Sequence, residues 1–372
     1  MNKIILTIAG IVLAGWAAQA QSSFHPGRLA VLQAGDGAVS QHLKQSPLFI
    51  DEFIPGAFNA SPTFTVKIPT NGAQTIFING HAATEGMLSR SADKRLLSFA
   101  GYGGVNLLQL DGTPSTLDIG RAFCTVDASG QEKTMIYEKY SGDDKMNPRG
   151  VVTDGANNFW SCGNAMGTAY YNAGTSADPV AFGSIPNSRD IKIVNQTLYV
   201  TLNGPDGIAG DLEAGIFTFN DGEGNPTPLP QSAKSTLALA VAAKDPYTKI
   251  AGFDINPQGT IAYTADTTAG IQKYVKTDGT WKFACNFSIP QNIPSSDNHE
   301  EGCFALAVDF SGTTPIIYAT TTEGYNGSVN SNRVVQIVDT NATAAVTTVA
   351  QSPSTEIAYR GIDFTPEAAP AH

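Results

Sequence analysis

Charge is scarce in this chain, and positive charge scarcer still. Only 15% of its 372 residues are Asp, Glu, Lys or Arg, and 33 acids against 22 bases leave a net charge of −11. Such a surface repels nucleic acid and anionic membranes at long range, and no basic stripe offsets it. The four cysteines (Cys124, Cys162, Cys285, Cys303) make neither a CxxC pair nor a haem-attachment motif. No HExxH zinc signature occurs. No helix led by Lys follows Gly101-Tyr102-Gly103-Gly104, so it is no phosphate loop. Trp160-Ser161-Cys162-Gly163 lacks the first Gly of a nucleophile elbow, and Asp221 to Asn225 lacks the ligand alternation of an EF-hand. Beyond residue 16 no apolar run is long enough to cross a bilayer. These absences argue against nucleic-acid partners, membrane insertion and the enzymes that announce themselves by motif.

The first twenty residues read as an address. Lys3 precedes an apolar run from Ile4 to Trp16, and Ala18-Gln19-Ala20 fits the small-x-small cleavage pattern. Residues 1–20 are therefore expected to be a signal peptide and 21–372 a single secreted or periplasmic domain. That compartment permits disulfides. Cys124–Cys162 and Cys285–Cys303 are the local choices among three connectivities, with four buried thiols as the alternative.

The 37 glycines and 21 prolines call for many turns and short strands, and the strands repeat. Glu85-Gly86-Met87-Leu88, Arg149-Gly150-Val151-Val152, Ala251-Gly252-Phe253-Asp254, Glu301-Gly302-Cys303-Phe304 and Arg360-Gly361-Ile362-Asp363 share a small or charged residue before Gly and an alternating apolar run after it. Arg189-Asp190-Ile191-Lys192-Ile193 is a sixth copy with Asp in place of Gly. In most copies a turn, a second strand and a third follow; two copies add a fourth. Repeats of this length with four short antiparallel strands are propeller blades.

The chain ends complete the count. Arg28 to Gln33, Leu48 to Ile54 and Phe64 to Ile68 read as second, third and fourth strands without a first. Arg360 to Phe364 is a first strand with nothing after it. Together they make one blade, which closes the ring and removes its open sheet edge. The all-β fold expected is thus a six-bladed β-propeller closed by terminal strand pairing. Residues 220–249 are long enough to hide degraded strands, which keeps seven blades open, and Ser235 to Ala243 is Ala/Leu-rich enough for a short helix.

In repeat pattern the chain resembles the secreted bacterial propellers grouped with lactonase-like and NHL-type proteins. That resemblance implies an axial channel lined by the innermost strands, with function on the face that carries their entry loops. The loop lengths agree, because 71–84, 141–148, 231–248 and 290–300 all enter inner strands. Long loops on a rigid scaffold are where sites concentrate.

Charges gather at those entries. Glu85, Arg149, Arg189, Asp190, Glu300, Glu301 and Arg360 would ring the channel mouth. His299 sits in the densest titratable stretch, Asp297-Asn298-His299-Glu300-Glu301, and His81 occupies the matching loop of the second blade. Carboxylates with a histidine can exchange protons or hold a divalent cation such as calcium; no cofactor is assigned. Arginine forks suit a carboxylate, phosphate or diol. One reading makes Glu85, His299 and Glu301 the catalytic groups of a hydrolase or lyase acting on a sugar, lactone or oligosaccharide. Arg149, Arg189, Asp190, Glu300, Arg360 and His81 would then hold the ligand. The other reading is a non-catalytic propeller that binds a glycan or an envelope protein. The same charges also suit a salt-bridged ring between blades. Tyr102, Trp160, Tyr170, Tyr171 and Tyr325 are candidate sugar platforms or interblade filling.

Overall fold

The computed structural model describes residues 23–369 apart from 39–44, 81, 83, 104–118, 138–146, 165–166, 176–178, 184–186, 205–212, 291–301 and 324–330. Its described residues form six antiparallel sheets and no helix. Each sheet is a blade of a six-bladed β-propeller.

Blade 1 is the composite one. Ala358–Phe364 is its innermost strand and pairs with Leu29–Ala34, followed outward by Leu48–Phe53 and Phe64–Lys67. The two ends of the chain are thus joined by a backbone ladder running from Leu29↔Phe364 to Ala34↔Ala358. Blades 3 to 6 each take four consecutive strands, with inner strands Pro148–Thr153, Ser188–Val194, Ile250–Ile255 and Cys303–Asp309.

Two expectations fail for physical reasons. Thr236–Ala242 is the outer strand of blade 4, not a helix, because its alternating Thr-Leu-Ala-Leu-Ala-Val-Ala pairs with Gly215–Asn220. This strand consumes the stretch that left a seventh blade open. The second exception is Glu85 to Leu88, which lies in no ladder. Gly86 turns there with φ +91°. Its carbonyl accepts from Gly361 N–H of blade 1 at 2.7 Å, and Met87 N–H donates to Arg149 carbonyl of blade 3 at 3.0 Å. The segment bridges two neighbours, so blade 2 is completed by Ile76–Asn79 and Ser89–Arg90 against Leu96–Gly103.

Burial takes in both faces of most strands, so the alternation read from the sequence separates two packed gaps and not a wet face from a dry one. Instead of one core there are six clusters, one in each gap between neighbouring blades. Along Leu29–Ala34, Leu29 and Val31 face blade 6 while Ala30, Leu32 and Ala34 face blade 2. Alternation persists, but both faces are buried.

The repeated Gly motif has a structural meaning. The five regular inner strands all break register with their second strands near this motif, at Arg149, Arg189–Asp190, Ala251–Gly252, Phe304 and Arg360–Gly361. A bulge there bends the inner strand toward the axis. Glycine then lets backbones meet: a Cβ on Gly361 would lie 2.1 Å from Leu88 N, and one on Gly252 2.8 Å from Ala305 Cα.

Side chains complete the stitching. Hydroxyls on second strands donate to the next inner strand: Ser98 to Val151 carbonyl at 2.9 Å, Thr201 to Ala251 at 2.8 Å, and Thr320 to Arg360 at 2.6 Å. Asn332 of blade 6 pairs with both Tyr359 N–H and Tyr359 carbonyl of blade 1.

All four cysteines are free thiols, which corrects the paired alternative. Cys124 lies in the gap between blades 1 and 2, and Cys162 in that between blades 3 and 4. Cys285 and Cys303 share a gap, but they sit on the outermost strand of blade 5 and the innermost of blade 6. Three strand spacings of about 4.8 Å separate those radii, beyond the ~7 Å that a disulfide bridges.

Candidate functional site

The inner strands present two charged layers to the channel. The first lies at the mouth where the long loops enter. Glu85 is fully buried there, held by a 2.9 Å bond from Asn79 N–H to Oε2 and a 2.8 Å bond from Tyr102 hydroxyl to Oε1. Burial pushes its carboxyl up to about 7, although both hydrogen bonds and the nearby Arg149 and Arg360 guanidiniums favour the charged form. The Tyr102 phenol is pushed well above its usual range, by its own burial and by Glu85. Arg121, also buried, lies over the Tyr102 ring at 4.8 Å from its centroid.

The arginines of this layer face across blade boundaries. Arg149 of blade 3 donates from Nη1 to Asn187 Oδ1 at 2.6 Å and to Ser188 carbonyl at 2.9 Å, at the start of blade 4. Arg360 of blade 1 reaches Gly80 carbonyl at 3.4 Å, in blade 2, and its guanidinium stands 5.9 Å from the Phe304 ring centroid. Arg189 is half-buried at the entry of blade 4. The structure thus brings Glu85, Arg149 and Arg360 together around Tyr102. His81, His299, Glu300 and Glu301 lie outside the described residues.

Asp190 belongs to the second layer, deeper along the strands. Its Oδ1 accepts from Ile191 N–H at 2.8 Å and its Oδ2 from Phe253 N–H of blade 5 at 3.3 Å. Burial raises its carboxyl to about 6 while Lys192 opposes the shift. Asp254 and Asp363 repeat the device: Asp254 accepts from Ile255 N–H at 2.8 Å and from Val308 N–H of blade 6 at 2.9 Å. Asp363 accepts from Phe364 N–H at 2.7 Å and from Arg90 N–H of blade 2 at 2.8 Å. Each aspartate therefore caps its own strand and staples the next. Buried Lys192 crosses from blade 4 to blade 6, donating to Leu306 carbonyl at 3.0 Å. Burial opposes its charged form more than any one neighbour favours it, but Asp254, Asp363 and Asp190 together hold its ammonium above the ordinary range.

Sequence reasoning named the entry charges, Asp190 among them, and missed Lys192, Asp254 and Asp363. A signal was present, because Lys192, Asp254 and Asp363 all stand two places after the Gly or Asp of the repeat motif. Tyr102, a candidate platform or interblade filler, is the hydrogen-bond partner of Glu85. Trp160 is fully buried and donates to Pro230 carbonyl at 2.7 Å, with Tyr170 packed on it. Both fill gaps between blades, while Tyr325 lies outside the described residues. Asp221 spends its carboxylate on the N–H groups of Glu223 and Asn225, closing its own turn.

Layer and ring define a six-bladed propeller whose hub is built from stapled inner strands. No family model and no curated protein matches the sequence. Among solved structures the chain is similar to a protein in a nidogen/laminin complex, with 12% identity over 92% of this chain and 99% of that one, at a TM-score of 0.54. It also resembles a putative 6-phosphogluconolactonase from Bacteroides uniformis (11% identity, 88% and 83% covered, TM-score 0.45). A putative 6-phosphogluconolactonase from Bacteroides fragilis matches at 12% identity, with 88% and 82% covered and a TM-score of 0.46. At these identities the first likeness is one of fold alone.

Proposed function

We propose that the protein is an exported, non-catalytic propeller that binds its ligand at the hub. The observation behind this reading is how the described charges of the long-loop layer are employed. Arg149 and Arg360 each hold a neighbouring blade, as Asp190 does one layer deeper, and both oxygens of Glu85 already accept from Asn79 and Tyr102. Acid–base catalysis needs a group free to exchange its proton with a substrate, beside a second group across a common space. These groups instead make a stiff frame, which suits preorganised binding. Export follows from the leader-like residues 1–20, and a mature mass starting near Gln21 would support it.

One observation favours a hydrolase or lyase. A buried carboxyl titrating near 7 between two guanidiniums is the kind of group that enzymes use as acid or base. The mature protein separates the readings when incubated with lactones and with uronate-containing and neutral polysaccharides, with and without EDTA. The expected result is retention of a ligand with no product released. Turnover that disappears in Glu85→Gln would replace the binding reading with the catalytic one.

A further inference from the structure

The opposite mouth, where short turns join inner to second strands, holds an open bowl of about 740 Å³. That volume lies within the range of small-molecule sites. Its floor is formed by Lys192, Asp254 and Asp363, from blades 4, 5 and 1. Phe310 and Phe364 contribute half-buried aromatic wall. Their rings are fixed by Tyr263 and Tyr318, at centroid distances of 6.1 and 6.0 Å. Asn195, Gln196 and Ser311 stand among the turn residues at its edge.

The floor is rigid yet chemically unsaturated. All four oxygens of Asp254 and Asp363 accept one backbone N–H each, which immobilises the carboxylates. A carboxylate oxygen has a second lone pair, and an ammonium has three donors. Fixed acceptors thus flank a donor that also bonds Leu306 carbonyl. Positions held by the protein itself cost little to organise when a ligand arrives.

Charge narrows the ligand. The lining carries four carboxylates (Asp254, Asp309, Asp363, Glu367) against three cations (Arg90, Lys94, Lys192). An anion meets the fixed aspartates, and a cation meets Lys192 already seated between them. Among the described residues no three carboxylate, imidazole or thiol side chains converge as a metal site. A neutral polyol has neither penalty, because hydroxyls both donate and accept. Its ring also offers an apolar face that can lie on an aromatic wall.

We infer that this bowl binds a neutral sugar ring, free or at the end of a glycan. Its hydroxyls donate to Asp254 and Asp363 and accept from Lys192, and its apolar face packs on Phe310 or Phe364. The site rests on the binding reading above but lies on the face opposite to the long-loop layer. It therefore asks nothing of Glu85 or the arginines.

The test is calorimetric titration of the mature protein with methyl glucoside, galactoside and mannoside, followed by the best binder against three variants. Asp254→Asn alters a floor acceptor, Ser311→Trp fills the bowl from its edge, and Tyr247→Ala changes an exposed loop residue on the opposite face. Saturable binding in the millimolar range or tighter is expected, weakened at least about tenfold in the first two variants and unchanged in the third. Ser311→Trp keeps the test decisive if Asp254→Asn does not fold. Sugar affinity that survives Ser311→Trp, or falls only in Tyr247→Ala, overturns the bowl while leaving the protein a binder. Binding of none of the three sugars also overturns it. Release of a product from the bound sugar would instead sink the binding reading itself.

Discussion

Gly361 N–H donates to the carbonyl of Gly86 at 2.7 Å, joining blade 1 to blade 2 across 275 residues of sequence. Two repeat-motif glycines meet there, and the contact is close because neither has a side chain. A Cβ on Gly361 would stand 2.1 Å from Leu88 N and 2.7 Å from Gly86 carbonyl oxygen. Backbone on both sides leaves nothing flexible to move aside.

Gly361→Ala is therefore expected to destabilise the fold by more than about 3 kcal/mol, in the range of severe overpacking. Gly259→Ala is the control. Gly259 has φ +65° and nothing within 4 Å of its added Cβ, so it should cost only about 1 kcal/mol from the backbone. Urea unfolding of both variants checks the contrast, and similar losses would mean that the close approach is not the governing term.

Removing residues 358–372 should abolish cooperative unfolding, not simply lower its midpoint. The deleted strand supplies the inner ladder of blade 1 and faces of the gaps to blades 6 and 2. Without it, Leu29–Ala34 becomes an exposed edge and Asn332 loses Tyr359. A cooperative thermal transition in the truncated chain would contradict the closed ring.

Three buried carboxyls give stability a definite pH slope. Burial raises Asp51 and Asp190 to about 6 and Glu85 to about 7, all above their unfolded values. Raised carboxyls favour the protonated fold, so their stabilisation is complete below roughly pH 4 and is lost as pH rises through 6 to 7. For Glu85 the span amounts to about 3 kcal/mol at ~1.36 kcal/mol per pKa unit. The unfolding temperature should climb as buffer is taken from pH 8 to pH 5, and Glu85→Gln should flatten that slope. An unchanged slope in the variant would show that Glu85 is already ionised at modest cost.

Thiol chemistry should follow burial. Cys124, Cys162 and Cys303 are buried, and burial pushes the Cys124 thiol up to about 12 and the other two higher still. Cys285 is half-buried, its thiol raised chiefly by the same cause. A chromogenic disulfide reagent should titrate Cys285 slowly in the native protein and all four thiols after unfolding, without added reductant. Fewer than four would reveal a bridge.

Much of the architecture was legible because propeller blades repeat one local solution. Period-2 strands, turn residues and a recurring Gly made the blades countable, and the unmatched strand at each end of the chain required closure. Blade 2 escaped that logic. Glu85 to Leu88 carries the repeat motif, yet its backbone hydrogen bonds go to Gly361 and Arg149 of other blades. No local pattern records such a choice.

The motif charges were similarly half-readable. Sequence alone placed Glu85, Arg149, Arg189, Asp190 and Arg360 at inner-strand entries. Only the bulges and the ring decided which of them meet. Glu85 lies with Arg149 and Arg360, whereas Asp190 feels the charges of Lys192 and Asp363. The cysteines and Trp160 show the same division, since the sequence left buried thiols beside disulfides and interblade filling beside a platform, and only the gaps between blades decided. Repetition along the chain determined a closed ring of strands. Contacts between residues hundreds of positions apart decided what stands at its hub, because those energies arise only once six separate segments converge on one axis.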